Sequence, residues 1–333
     1  MAKTPKKPTI YDVADLAGVS TFTVSRVIND AGPVRDQTRA KVESAIAELN
    51  YIPSAVARRL RANKSDMIGL VISDITNPFW AQVIAAIQRF FSDQGIGVIL
   101  GNTQSDPEEE RKQVELALSQ SVDGIIMTPL LDSSQQVIDE VRARDVPCVI
   151  LDRRGDFGVD VVRGDSRQGA RELTELLLEK GHRRIGLVTG SRDRSTAVDR
   201  YQGYADALEA AGIEVEEALV RWGPYTRGFG AQAMDELLAL DSPPTAVFAA
   251  NNSLADGVLD TLRVRGRRVP GDMAVVGFDS IPTLDSFLTV AEQPAQRMGQ
   301  VAAEMLQERI DGYDGPPRER VLPIKIRVRV SSG

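Results

Sequence analysis

Two sets of residues have types and spacings suited to chemistry. The first is the stretch VSTFTVSRVIN, residues 19–29. Val19, Val24, Val27 and Ile28 can face a core. Ser20, Thr21, Phe22, Thr23, Ser25, Arg26 and Asn29 are left outside, and they are short, hydrogen-bonding and mildly basic. Such a surface can approach a phosphate backbone without repelling it. Short hydroxyl side chains can bond phosphates. Thr21 and Phe22, at a helix N-terminus, can reach base edges. Arg26, one turn on, can hold guanine through two hydrogen bonds. The second set stands just past short apolar runs. It holds Asp74, Asn77, Phe79 and Trp80, then Asp152 and Arg153, then Arg194 and Arg200, then Asn251, Asn252 and Asp279.

The elements that must carry the first set are legible. Thr9 followed by Asp12 fits a capping box, with Ile10, Val13, Ala14 and Ala17 as an apolar face. Gly18 permits a sharp turn, Ser20 can cap a second helix running to about Asn29, and Asp30-Ala31-Gly32-Pro33 stops it. A third helix is expected over about Asp36–Asn50, with Val42, Ile46 and Leu49 in one stripe. Three short helices with a Gly-bearing turn describe a helix-turn-helix unit, whose second helix enters the major groove. Beyond Pro53, Ser54 can cap a short helix to about Leu60. Arg58, Arg59 and Arg61 surround Leu60. Pattern alone admits both a minor-groove wedge and a flexible interdomain linker there.

From Met67 the texture changes. MIGLVIS, IGVILG, GIIMTP, VPCVILD, RIGLVTG, TAVFAA and MAVVGFD are short apolar runs separated by amphipathic stretches of helix length. Alternating strand and helix indicates parallel α/β structure. Ligands in such folds bind beyond the carboxyl ends of strands, where the second set stands.

Charge divides the 333-residue chain in the same way. Residues 1–65 carry eleven Lys/Arg against six Asp/Glu, and the remainder 29 against 41. A basic end on an acidic body points to a polyanion partner for that end. No apolar run approaches the ~20 residues of a membrane span, and MAKTPKKPT leads into no signal-peptide core; a cytoplasmic protein with no membrane partner is expected. Cys148 is the only cysteine and His182 the only histidine. Disulfide frameworks and thiolate metal sites are therefore excluded, and no metal or cofactor is expected. Cys148 reads as a buried apolar group and His182 as a cation at a helix end. Gly95, Gly97 and Gly101 precede and span a strand, so they do not form a dinucleotide fingerprint. Asp106-Pro107-Glu108-Glu109-Glu110 reads as an acidic helix start.

Residues 9–60 resemble the lactose-repressor/galactose-repressor family of bacterial transcription regulators. TIYDVADLAGVSTFTVSRVIND and TRAKVESAIAELNYIPSAVARRL carry the resemblance, and DITNPFW, GHRRIG, RYQGY, TAVFAANN, VVGFD and RVRVSS continue it in family order. The resemblance implies an all-α helix-turn-helix headpiece (1–52), a hinge helix and linker (53–65) and a periplasmic-binding-protein-like α/β body (66–333). That body has two doubly wound parallel-sheet subdomains, about 66–163 with 292–322 and about 164–291 with 323–333. It implies a homodimer on double-stranded, pseudo-palindromic operator DNA, contacted through Thr9, Ser20, Thr21, Phe22, Thr23, Ser25, Arg26 and Asn29. In the hinge, Ser54, Ala57, Arg58 and Leu60 join them, with Leu60 as the wedge. It implies an effector cleft lined by Phe79, Trp80, Asp152, Arg194, Thr196, Arg200, Tyr225, Asn251 and Asp279.

That cleft set suits a polyol. The aromatic faces can cover a sugar ring, and Asp152, Asp279, Arg200 and Asn251 can pair with its hydroxyls. A nucleobase or a phosphorylated metabolite is the alternative effector. Two departures stand out: the family's usual Asn-Asp after VFAA is Asn251-Asn252, and its usual Asp-Asn is Asp165-Ser166. No leucine-heptad tail follows residue 330, so the tetramer-forming extension of some members is not expected. An enzyme using Asp152 and Asp279 is the competing class. It is disfavoured by the absence of a nucleophile–base motif or phosphate loop and by the helix-turn-helix. A transport solute-binding protein would leave the headpiece unexplained.

Overall fold

A computed structural model describes residues 8–28, 32–51, 65–130, 134–284 and 286–333. The chain divides into two units, Met1–Ser65 and Asp66–Gly333.

The first unit contains α1 (Ile10–Ala17), α2 (Thr21–Ile28) and α3 (Asp36–Leu49). Thr9 closes the capping box: its Oγ1 accepts from Asp12 N, and the Asp12 carboxylate accepts from Thr9 N at 2.6 Å. Gly18 ends α1 at φ 65°, a left-handed conformation that favours glycine. Ser20 Oγ then accepts from Thr23 N at 3.2 Å and so caps α2. Helices of eight residues are marginal alone. Here Val13, Ala14, Val24, Val27, Val42 and Ala45 bury together and hold all three.

The second unit builds two six-stranded sheets. Sheet one runs β11-β5-β4-β3-β1-β2 and sheet two runs β12-β10-β9-β8-β6-β7. In sheet one, β1 (Met67–Ile72), β2 (Gly97–Asn102), β3 (Gly124–Met127), β4 (Cys148–Leu151), β5 (Asp160–Gly164) and β11 (Glu319–Leu322) are all parallel. Sheet two holds β6 (Ile185–Thr189), β7 (Val220–Trp222), β8 (Ala246–Ala249), β9 (Ala274–Phe278), β10 (Thr289–Glu292) and β12 (Lys325–Arg327). Its pairs are parallel except β10 with β12, which is antiparallel. The wholly parallel expectation fails at that edge because β12 follows β11 after a two-residue link and enters the second sheet from its other end.

Helices cover both sheets: α4 (Pro78–Ser92), α5 (Pro107–Ser119), α6 (Gln135–Arg142), α7 (Ser166–Glu179), α8 (Ser195–Ala210), α9 (Arg227–Leu238), α10 (Asn252–Val264) and α11 (Ala295–Ile310). With both faces covered, the central strands are apolar throughout. Ile68, Leu70 and Ile72 pack with α4 and α11 in the first half, and Leu187, Phe248 and Val276 with α7 and α8 in the second. Helix pairs approach closely through glycine. A Cβ on Gly203 of α8 would lie 2.1 Å from Arg167 O of α7, and one on Gly257 of α10 2.1 Å from Arg227 O of α9. The chain passes between the sheets three times, at residues 165, 293–294 and 323–324, so the carboxyl ends of both central strand sets face one cleft.

Candidate functional site

On α2, residues three and four apart share a face. Val24, Ser25 and Val27 are buried, while Phe22 is 69% exposed. The Arg26 guanidinium lies 5.7 Å from the Phe22 ring and its Nη2 donates to Pro33 O at 3.3 Å. A Cβ on Gly32 would meet that guanidinium at 2.8 Å, so glycine there leaves Arg26 its place. Thr21 and Thr23 are half-buried and Ser20 is exposed. Ser25, expected among the outward residues, is instead 9% exposed, because it follows Val24 on the core side of the turn. Thr9 is the cap of α1. Tyr11, at 69% exposure, is an outward aromatic that the sequence reading did not single out. Asn29, Ser54, Ala57, Arg58 and Leu60 lie outside the described residues.

In the body, all nine residues of the expected effector set line one cavity of about 70 Å³ between the two sheets. Larger hollows of about 530 and 500 Å³ lie along α4 and α11. The small cavity is where buried charged groups converge, and it is the chemically distinctive one. From sheet one, Asn77 caps α4 by accepting from Phe79 N at 2.9 Å. That helix start delivers Phe79 and Trp80, edge to face at 4.9 Å. Asp152 follows β4 at φ 55°. From sheet two, Thr196 and Arg200 stand one turn apart on α8, Asn251 caps α10 by accepting from Leu254 N at 2.7 Å, and Asp279 follows β9 at φ 64°. Left-handed backbone at both aspartates is the local strain that binding sites tend to hold.

Arg200 is 3% exposed. Its Nη1 donates to Ala250 O, its guanidinium lies 3.7 Å from the Phe278 ring, and its Nε has no partner among the described residues. The Tyr225 hydroxyl is likewise buried and without a partner among the described residues. Gly190 gives that ring room, since a Cβ there would meet it at 2.4 Å. Burial pushes the Asp279 carboxyl up to about 6, against the opposing pull of Arg200 and a hydrogen bond from Gln293. Burial also raises Asp152, opposed by Arg153. Arg153, brought down to about 10 by burial, donates Nε to Pro129 O at 2.6 Å and Nη1 to Asp152 O at 2.7 Å.

The cavity also holds residues outside the expected set. Asp74, Asn77 and Arg153 stand at strand ends as read, and Gln293 was missed. Gln293 follows β10, a run of only four residues, TVAE, too short and polar to stand out. One other reading changes, while the acidic helix start at residues 106–110 holds. His182 is not a helix-end cation: burial lowers its pKa, its Nδ1 bonds Thr245 Oγ1 at 2.9 Å, and Arg183 donates to Leu178 O at 2.8 Å in its place. Asp106 caps α5, accepting from Glu108 N and Glu109 N.

Comparison with known proteins agrees along nearly the whole chain. Residues 9–54 match the family described as bacterial regulatory proteins, lacI family. Residues 65–330 match periplasmic binding proteins and sugar binding domain of LacI family. The chain is 37% identical over 316 residues to the HTH-type transcriptional repressor PurR of Vibrio atlanticus (strain LGP32), covering 93% of this chain and 94% of that one. It resembles the solved transcriptional regulator CelR–cellobiose complex with a TM-score of 0.74 and 35% identity, over 97% of this chain and 99% of that one. It resembles the Lac repressor dimer bound to operator and the anti-inducer ONPF with a TM-score of 0.88 and 31% identity, over 98% and 99%.

Proposed function

Because the chain belongs to the LacI family of bacterial regulatory proteins, and so is a DNA-binding transcription regulator and not an enzyme, we propose that it is a repressor whose hold on DNA is set by a neutral polyhydroxylated molecule bound between its two sheets. It acts as a homodimer on operator DNA, and it does so in the cytoplasm. The observation that carries the choice of ligand is the balance of charge around the cavity. Three carboxylates (Asp74, Asp152, Asp279) face three guanidinium groups (Arg153, Arg194, Arg200). Hydroxyls can donate to the first and accept from the second, so a neutral sugar satisfies both. A phosphorylated metabolite would add uncompensated charge in a buried site. Phe79, Trp80 and Tyr225 supply apolar faces for a ring, and Arg194, Thr196 and Asn251 complete the polar set.

A thermal-shift screen of neutral monosaccharides against their phosphates and against nucleobases tests this. A ligand at 100 times its Kd adds about 2.7 kcal/mol. Stabilisation by the phosphates or the nucleobases alone would overturn it. On DNA, the exposed Phe22 and the neighbouring Arg26 support a reading in which Thr21, Phe22 and Arg26 meet base edges; the role of Leu60 as a minor-groove wedge is supported by the family resemblance alone. Arg26→Ala should cost about 1–3 kcal/mol at one base pair per half-site in a binding-site selection. Equal weakening on every sequence would make it a phosphate contact.

A further inference from the structure

Arg154 and Asn252 do not line the cavity, yet each reaches across the cleft. Arg154 follows β4 of sheet one. Its backbone N donates to Ser195 Oγ at 2.9 Å, and its guanidinium pairs with Asp199 at 2.9 Å, both partners lying on α8 of the other half. Asp199 is 8% exposed at its side chain, so this carboxylate is committed to the contact. At a second point, Asn252 Nδ2 at the start of α10 donates to Asn77 Oδ1 at 2.8 Å. The two bridges spring from different strands of each sheet. Together they resist twisting of the halves as well as opening.

The amide chemistry of the second bridge is directional. Asn77 Oδ1 already accepts from Phe79 N, which fixes it as an acceptor. Asn252 must therefore present its Nδ2, and its Oδ1 accepts from Ser253 N at 2.8 Å. Asn252 is 3% exposed. An aspartate at this position would set oxygen against oxygen across the cleft. It would leave α10 intact, since a carboxylate suits a helix N-terminus.

We propose that Arg154 and Asn252 form a two-point latch that holds the halves of the body together without help from the molecule in the cavity. The inference does not depend on which ligand the cavity takes. A latch of this kind raises the closed fraction of the empty protein, and a ligand that binds the closed form gains affinity in proportion.

Hydrogen exchange on the unliganded, full-length protein tests it. Asn252→Asp should speed exchange about tenfold, the scale of one lost hydrogen bond, in the distant peptide 153–156, whose Arg154 amide is bonded across the cleft. The amides of β1 and β6 should keep their protection. Unchanged exchange at 153–156 would make the two bridges independent local contacts and overturn the latch. Should Asn252→Asp loosen the strands as well, Arg154→Gln decides, because the Arg154 side chain is 47% exposed and its loss leaves the core alone. It should speed exchange at 251–254 by a similar factor, and no change there overturns the proposal.

Discussion

The two halves of the body solve one problem with opposite chemistry. Asp160 begins β5 and Thr289 begins β10, strands that occupy the same position in the two sheet orders. Both residues are fully buried. Each ties down a C-terminal segment that returns to its sheet. Asp160 accepts from Arg318 N at 2.8 Å and pairs with the guanidinium groups of Arg309 (2.7 Å) and Arg318 (2.8 Å). Thr289 Oγ1 accepts from Arg329 N at 2.8 Å and meets Ser332 Oγ at 2.9 Å. Burial, the largest single influence, pushes the Asp160 carboxyl up. The hydrogen bonds from Arg309 and Arg318 outweigh it and hold the group below its ordinary value. One half therefore depends on a charge that must stay paired, and the other on a neutral hydroxyl. The equivalence in topology does not carry an equivalence in fragility.

Near-isosteric substitutions should expose that difference. Asp160→Asn takes the anion from Arg309 and leaves Arg318 with Glu308 alone, both arginines being under a fifth exposed. Breaking a buried pair in this way costs about 3–5 kcal/mol. Thr289→Val removes one hydroxyl and should cost about 1–2 kcal/mol. Denaturant midpoints at constant slope measure both. Equal losses would show that the charge of Asp160 adds nothing beyond its hydrogen bonds.

Neither pin was legible in the sequence, and the reason is physical. The seven apolar runs stood out because strands buried on both faces need no polar alternation. β5 opens on Asp160, β10 is TVAE, and β11 and β12 are mostly exposed edges rich in Arg, Lys and Glu, so none of them makes an apolar run. The partners of Asp160 lie about 150 residues away in sequence, beyond the reach of any local pattern. The cleft was more accessible. Asp152, Asn251 and Asp279 follow strong runs, so the strand-end rule finds them, whereas Thr196 and Tyr225 rested on the family resemblance alone. Ser25 was misplaced because small hydroxyl residues carry no apolar signal for the core side of a helix.

The cleft repeats the comparison on a smaller scale. Asp152 and Asp279 follow equivalent strands, and their backbone N–H groups donate to Val162 O and Ala291 O of the neighbouring strands. Their partners differ. Loss of the Asp152 carboxylate, 3.4 Å from Arg153 Nη1, leaves that arginine its bonds to the carbonyls of Pro129 and Asp152. Asp279 instead accepts from Gln293 N and Nε2, on a segment that crosses between the sheets, at 3.2 and 3.0 Å. It also lies in the field of Arg200, whose Nε has no hydrogen-bond partner among the described residues. Asp279→Ala should thus weaken binding of the sugar identified by screening about 100-fold, or about 2.7 kcal/mol, and Asp152→Ala about tenfold. Calorimetry on both variants checks the ranking. Equal losses would make the two carboxylates equivalent ligands and remove the role of the crossover segment.

Acid should separate the halves most gently. Asp279 titrates at about 6 in the fold against an ordinary 3.8. Between those values the folded state holds a proton that the unfolded chain does not. Unfolding then releases protons, so stability falls as pH rises: the burial cost is relieved as pH drops from about 6 towards 4 and is fully present above 6. The gain on acidification is on the order of 2 kcal/mol. Asp152, raised by the same cause, acts in the same direction. Asp160, held low by its arginines, acts oppositely, and its contribution is lost only as pH falls below the ordinary carboxylate range. Asp279→Asn should accordingly flatten the rise in Tm between pH 6 and pH 4.5 while leaving the acid-side decline governed by Asp160 in place. Ligand affinity should move against stability over that interval, because a protonated Asp279 accepts less strongly from sugar hydroxyls and from Gln293. A titration in which affinity and Tm rise together on acidification would mean that the ligand binds the protonated carboxyl, and that Asp279 meets it as a donor.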